Sequence, residues 1–207
     1  MTIKATSLLA LLAIWGAIIP AVVLQHGSWW ALIFAFLATG VVGRSAERRV
    51  GLSRVLAVAG IWGGTATAVA TNSDTAWISV FAFLATGAAC YSIMARDAVL
   101  NGLGIATAWG VTGAVAARDE SAAWICVFAF LTTGAVANSR WNRLRGLAAV
   151  FWWGAAGALM LATKDWYWAA VLAFVLSAAS FGFRGFAFPR RFEWDLFERD
   201  DDSGSLR

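Results

Sequence analysis

Charge is scarce in this chain. Only 14% of its 207 residues are Asp, Glu, Lys or Arg, against about 25% in soluble domains. Cysteine occurs twice, proline twice and histidine once. Cys90 and Cys126 both sit inside apolar runs and form no CxxC pair. That excludes a disulfide framework and leaves them as small packing residues. Cys90 lies 13 residues after Trp77 and Cys126 two after Trp124, a depth difference of about 16 Å along their helices and beyond disulfide reach. The apolar runs hold no carboxylate pair, metal-ligand cluster, phosphate-binding glycine loop or nucleophile elbow. No catalytic residue, metal or cofactor is therefore assigned, and the chain is not read as an enzyme. Its only histidine, His26, and the adjacent Asp119 and Glu120 fall in polar turns, where solvation accounts for them. Missing intramembrane charges argue against a pump or coupled transporter.

What the chain has is apolar mass. It is 60% hydrophobic with a mean hydropathy of +0.70, gathered in long runs that call for lipid as the solvent. The net charge of +4 comes from arginines that flank these runs, which fits cytoplasmic loops and not a nucleic-acid surface. Arginine outnumbers lysine, and alanine and glycine are abundant, as in GC-rich prokaryotic genomes.

The runs repeat. WALIFAFLATG from Trp30 returns as WISVFAFLATG from Trp77 and WICVFAFLTTG from Trp124, with a weaker copy, WAAVLAFVLSA, from Trp168. A Trp-Gly pair precedes each copy by 15 residues, at Trp15, Trp62, Trp109 and Trp153, and the period is 47, 47, then 44. Fixed periods of this size mark duplicated structural units. Each unit holds two apolar runs of about 17 to 20 residues, a bilayer-spanning helical length, joined by a polar turn. Gly27, Asp74, Ser121 and Asp165, three residues before each downstream Trp, are favoured helix N-caps. Arg49, Arg96 and Arg143 each stand 19 residues after that Trp, about 28 Å along a helix and close to the thickness of a hydrocarbon core. The fourth unit has Ala187 there, with Arg184 slightly earlier.

The reading is therefore an all-α integral membrane protein with eight transmembrane helices, arranged as four tandem parallel helical-hairpin repeats. The transmembrane domain covers 1–183, with hairpins near 7–49, 54–96, 99–143 and 145–183, and 184–207 form a cytoplasmic charged and aromatic tail. Lys4 and the first apolar run resemble a signal peptide, but their equivalence to later runs marks a retained helix. Basic residues crowd one side (Arg44, Arg48, Arg49, Arg54, Arg96, Arg140, Arg143, Arg145), whereas the other has only Arg118 and Lys164 among several acids. The positive-inside rule then places both termini in the cytoplasm, in the plasma membrane of a prokaryote.

In each downstream helix, Trp30, Phe34 and Leu37 share a bulky face, opposite small residues such as Ala35 and Thr39. Small-xxx-small faces let helix backbones approach in lipid. Trp15, Trp62, Trp109 and Trp153 lie about nine residues before the outer turn, and Thr39, Thr86, Thr133 and Ser177 nine residues after the downstream Trp. Both sets share a layer about 14 Å deep. One reading of the layer is packing, with indole N–H groups donating to hydroxyls or carbonyls. The other is an aromatic site for a lipid, quinone or pigment. In the tail, Arg184, Arg190 and Arg191 can meet anionic head groups. Phe192, Trp194 and Phe197 add apolar surface for the membrane or for a membrane or cytoplasmic protein partner.

Two function classes follow. The first is a structural or protein/lipid-interaction role in the bilayer. The alternative is a passive channel or a binder of a small hydrophobic molecule at the Trp/Thr layer. Topology is directly testable by single-cysteine labelling with an impermeant reagent, in a background lacking Cys90 and Cys126. Positions 73 and 121 should label in intact cells, and 53, 139 and 203 only after permeabilisation. Labelling of 139 but not 73 would invert the assignment.

Overall fold

The computed structural model describes residues 5–25, 28–45, 51–91, 99–137, 144–163 and 166–180. Within these residues all regular structure is helical. There are eight α-helices: α1 (Ala5–Leu24), α2 (Trp29–Ser45), α3 (Leu52–Thr71), α4 (Ile78–Tyr91), α5 (Val99–Ala116), α6 (Ile125–Ala137), α7 (Leu144–Thr163) and α8 (Trp166–Ser180). Short 3-10 turns, Ser73–Trp77 and Glu120–Trp124, lead into α4 and α6. Six helical segments are long and apolar enough to cross a membrane, the 3-10 turns counting with α4 and α6. α2 and α8 are shorter, at 17 and 15 residues, so eight full spans are not all present in the described residues. The arginine markers Arg49, Arg96 and Arg143, the turn residues Gly27 and Asp165, and the labelling positions 139 and 203 lie outside the described residues. Ser53 is buried, which makes it a poor labelling position. Cys90 and Cys126 are both free and buried.

The helices form two rows. α1, α3, α5 and α7 pack side by side in chain order, as do α2, α4, α6 and α8, and each odd helix packs on the even helix that follows it. Among the described residues, α1 and α7 share no extended packing interface, and neither do α2 and α8. Both rows therefore have free ends.

Small residues make the contacts. On α2, Ala31, Ala35 and Ala38 are buried, as are Ala82, Ala85 and Ala89 on α4 and Ala129 and Thr133 on α6. Steps of three and four keep such residues on one side of a helix. Trp30, Phe36 and Leu37 on α2 are exposed. Phe34 instead packs between helices, with its ring centroid 6.3 Å from that of Phe83.

The odd row is drawn tightest. A Cβ added to Gly64 on α3 would lie 2.1 Å from the Trp109 carbonyl oxygen on α5, and one on Gly113 of α5 would lie 2.2 Å from the Gly64 carbonyl oxygen. Gly102 meets the Ser53 carbonyl and Gly146 the Leu100 carbonyl in the same way. The glycines of the Trp-Gly pairs behave differently. Gly16, Gly63, Gly110 and Gly154 have nothing within 4 Å of where a Cβ would stand. Of the adjacent pair Gly63 and Gly64, the second is the contact residue, because one residue turns a helical side chain by about 100°.

The N-caps also differ from the reading of the turns. Asp74 and Ser121 are not the capping residues. The Asn72 side chain accepts from the Asp74 N–H at 2.9 Å, and Asp119 accepts from the Ser121 N–H at 2.9 Å. The backbone is extended at Asn72 and Asp119, and the chain enters a 3-10 turn there before the α-helix starts. The free N–H groups consequently fall two residues earlier than an α-helical start would put them.

The glycine geometry supplies a comparison. Gly64→Ala should destabilise the protein by about 1–3 kcal/mol, because backbone atoms must move apart. Gly63→Ala should stay within about 0.5 kcal/mol of the parent, or gain slightly from helix propensity. Unfolding in mixed detergent reads both. Equal costs would mean that α3 and α5 do not approach through Gly64.

Candidate functional site

The Trp/Thr layer is the most regular polar feature between the rows. Each tryptophan stands on an odd helix and each hydroxyl on an even one. Trp15 Nε1 donates to Thr39 Oγ1 at 3.0 Å, Trp62 to Thr86 at 3.0 Å and Trp109 to Thr133 at 3.0 Å. Each acceptor sits 24 residues after its donor. The three hydroxyls in turn donate to the carbonyls four residues back, those of Ala35, Ala82 and Ala129, at 3.0, 2.8 and 2.8 Å. Each threonine thus serves both as acceptor and as donor, which is the full use of a hydroxyl proton. A lone Thr in a helix reaches its own i−4 carbonyl, and that orientation leaves its lone pairs facing the indole of the neighbouring helix.

The fourth member departs from the pattern. Trp153 donates to Thr132 at 3.1 Å, not to Ser177. Ser177 is buried and its Oγ has no hydrogen-bond partner. Thr132 replaces the alanine found at Ala38 and Ala85 in the earlier copies, and it places a second hydroxyl on α6. The indole of Trp153 takes that hydroxyl. The signal was present in the sequence: the third copy reads LTTG where the first two read LATG. Trp62, Trp109 and Trp153 are fully buried, and Trp15, near the free end of its row, is partly buried.

Other polar contacts were not foreseen. At the polar-turn end, Gln25 Nε2 donates to the Ala70 carbonyl at 3.1 Å, Asn72 Nδ2 donates to Glu120, and Arg118 donates to the Leu161 carbonyl at 3.0 Å. Gln25 and Asn72 are one 47-residue period apart, so their turns link forward from equivalent positions. At the other end, buried Asn101 accepts from the Gly146 N–H at 3.1 Å. It thereby caps a free donor in the first turn of α7. Above the row, Trp77 and Trp124 pack at a tilt of 49° with ring centroids 4.9 Å apart, and Trp29, Trp30, Trp124 and Trp168 are exposed.

The row contains no charged side chain, and the indole donors are taken up by hydroxyls. Its chemistry is that of hydrogen-bonded rivets between two helix layers. Among the described residues no three His, Cys, Asp or Glu side chains come together. Arg184, Arg190, Arg191, Phe192, Trp194 and Phe197 of the tail lie outside the described residues. No family model, curated protein or solved structure matches the chain.

The divergence at Ser177 separates two substitutions. Thr132→Val removes the acceptor of a buried indole and should cost about 1 kcal/mol. Ser177→Ala removes an unsatisfied hydroxyl and should be neutral or stabilising. Trp62→Phe should cost about 1 kcal/mol or less, since membrane hydrogen bonds are modest. The measurement is again unfolding in mixed detergent. A costly Ser177→Ala with a neutral Thr132→Val would return the Trp153 bond to Ser177.

Proposed function

We propose that this chain is an integral membrane protein of four tandem parallel helical hairpins, α1–α2, α3–α4, α5–α6 and α7–α8, with a structural or protein/lipid-interaction role and no catalysis. The supporting observation is the self-satisfied Trp–Thr row. A binding site for a quinone or pigment, or a conducting lumen, would present free donors and acceptors; here indole, hydroxyl and carbonyl are joined in series. Exposed apolar side chains along α1, α2, α7 and α8 suit lipid contact. The exposed tryptophans above the row suit an interfacial belt.

The arginine asymmetry sets the orientation in this reading, with both termini cytoplasmic in a prokaryotic plasma membrane. The tail from Arg184 then lies on the inner leaflet through its arginines and aromatics, or docks a protein partner there.

The test has two parts. The protein should stay in the membrane pellet after alkaline carbonate extraction. Purified with native lipids, it should carry no stoichiometric chromophore, and its proteoliposomes should leak glycerol and small ions no faster than protein-free vesicles. A stoichiometric quinone or pigment, or a leak abolished by Trp62→Ala, would replace the structural role with the binder or channel.

A further inference from the structure

The contacts between neighbouring hairpins recur. Phe34 packs on Phe83, Phe81 on Phe130 and Phe128 on Phe174, with ring centroids 6.3, 6.0 and 6.1 Å apart. Set against the period of 47, 47 and 44 residues, these are one contact made three times. The odd row repeats itself likewise, with Gly64 against Gly113 and Val111 against Gly157 at equivalent positions. Each hairpin therefore has a forward face and a backward face that fit each other.

Among the described residues, four hairpins in an open row make three such junctions and leave one face of each kind uncovered. On the first hairpin, the position equivalent to Phe83, Phe130 and Phe174 is Phe36, which is 67% exposed. On the last, the position equivalent to Phe34, Phe81 and Phe128 is Leu172, which is 52% exposed. In the odd row, continuing the series places Ala155, exposed, opposite Ile19, 48% exposed. A small residue thus meets a large one, as Gly157 meets Val111.

We infer that the two free ends are one interface split between two molecules: α7 and α8 of one copy dock on α1 and α2 of a second copy, continuing the row head to tail. The inference rests on the four-hairpin reading, and its surface is continuous with junctions that the chain already makes three times. A head-to-tail contact is heterologous, so it builds rings or open filaments and not a closed two-fold dimer. End units of soluble repeat arrays carry polar outer faces, whereas both ends here present large apolar side chains. Lipid covers an apolar face about as well as leucine does, so the gain must come from close packing of complementary shapes.

Cysteine cross-linking in native membranes tests this, in a Cys90→Ala, Cys126→Ala background with copper phenanthroline as oxidant. Phe36→Cys and Leu172→Cys chains, differently tagged and co-expressed, should form a covalent heterodimer, while neither variant alone should form any dimer. A chain carrying both changes should give a ladder of dimers, trimers and higher species. The internal control is a Phe34→Cys, Phe83→Cys chain, which should link within itself. No link between 36 and 172 alongside a positive control would mean that lipid covers the ends and the chain stands alone, which overturns the proposal. Dimers from either single variant would mean a two-fold contact, and a 36–172 link inside one chain would mean a closed bundle; both also overturn it. Failure of the control would instead remove the hairpin array itself.

Discussion

α3 and α5 touch through their backbones. At Gly64 and Gly113 there is no room for a methyl group between one helix and the carbonyl of the other, and the rest of the arrangement follows from that spacing. Close approach brings weakly polarised Cα–H groups against carbonyl oxygens, a small attraction that only glycine leaves unobstructed. Phenylalanine rings pack between the even helices with centroids about 6 Å apart. The odd row thus has backbone contact at glycine, and the even row combines buried alanines with packed phenylalanine rings.

The sequence carried the geometry between consecutive helices well. Turn position and helical rise alone put Trp62 level with Thr86, and their side chains meet. The buried alanine stripes of α2 and α4 also follow from steps of three and four. The geometry between neighbouring helices of one row was much less legible. Repetition singled out Gly63, which recurs in all four units, whereas contact selects Gly64, whose equivalents are Ala17, Val111 and Ala155. A residue repeated in every copy reports common ancestry. A residue touching a neighbour depends on the crossing of two helices, which no spacing along one of them encodes. The caps were misplaced by two residues for a similar reason. The chemistry of Asn72 and Asp74 suits either role, and only the 3-10 path of the turn decides between them. The binding reading of the layer depended on whether its polar groups were free, a question that a list of residue types leaves open.

The four repeated segments are not interchangeable. α8 has Ser177 where α2, α4 and α6 have threonine, α6 has Thr132 where α2 and α4 have alanine, and the Trp153 indole of α7 bonds to α6 instead of α8. Bulky Val111 of α5 packs where Gly157 of α7 leaves room for it. Among the described residues, α1, α2, α7 and α8 stand at the ends of the two rows and keep large exposed apolar side chains.

Magnitudes indicate what the Trp–Thr bonds contribute. At about 0.6 kcal/mol each, the average for side-chain hydrogen bonds inside a membrane protein, four of them amount to about 2–3 kcal/mol. That is no more than the cost of one overpacked contact, about 1–3 kcal/mol. The bonds are too weak to hold the rows together. Their effect lies in direction and register. A slip of one residue turns a helix by about 100° and shifts it by 1.5 Å, which would carry every indole away from its hydroxyl and leave buried N–H groups unpaired. Apolar helices lined with alanine can slide past one another at little cost. A row of indoles, each matched to one hydroxyl, raises the cost of every wrong alignment while adding little to the stability of the right one.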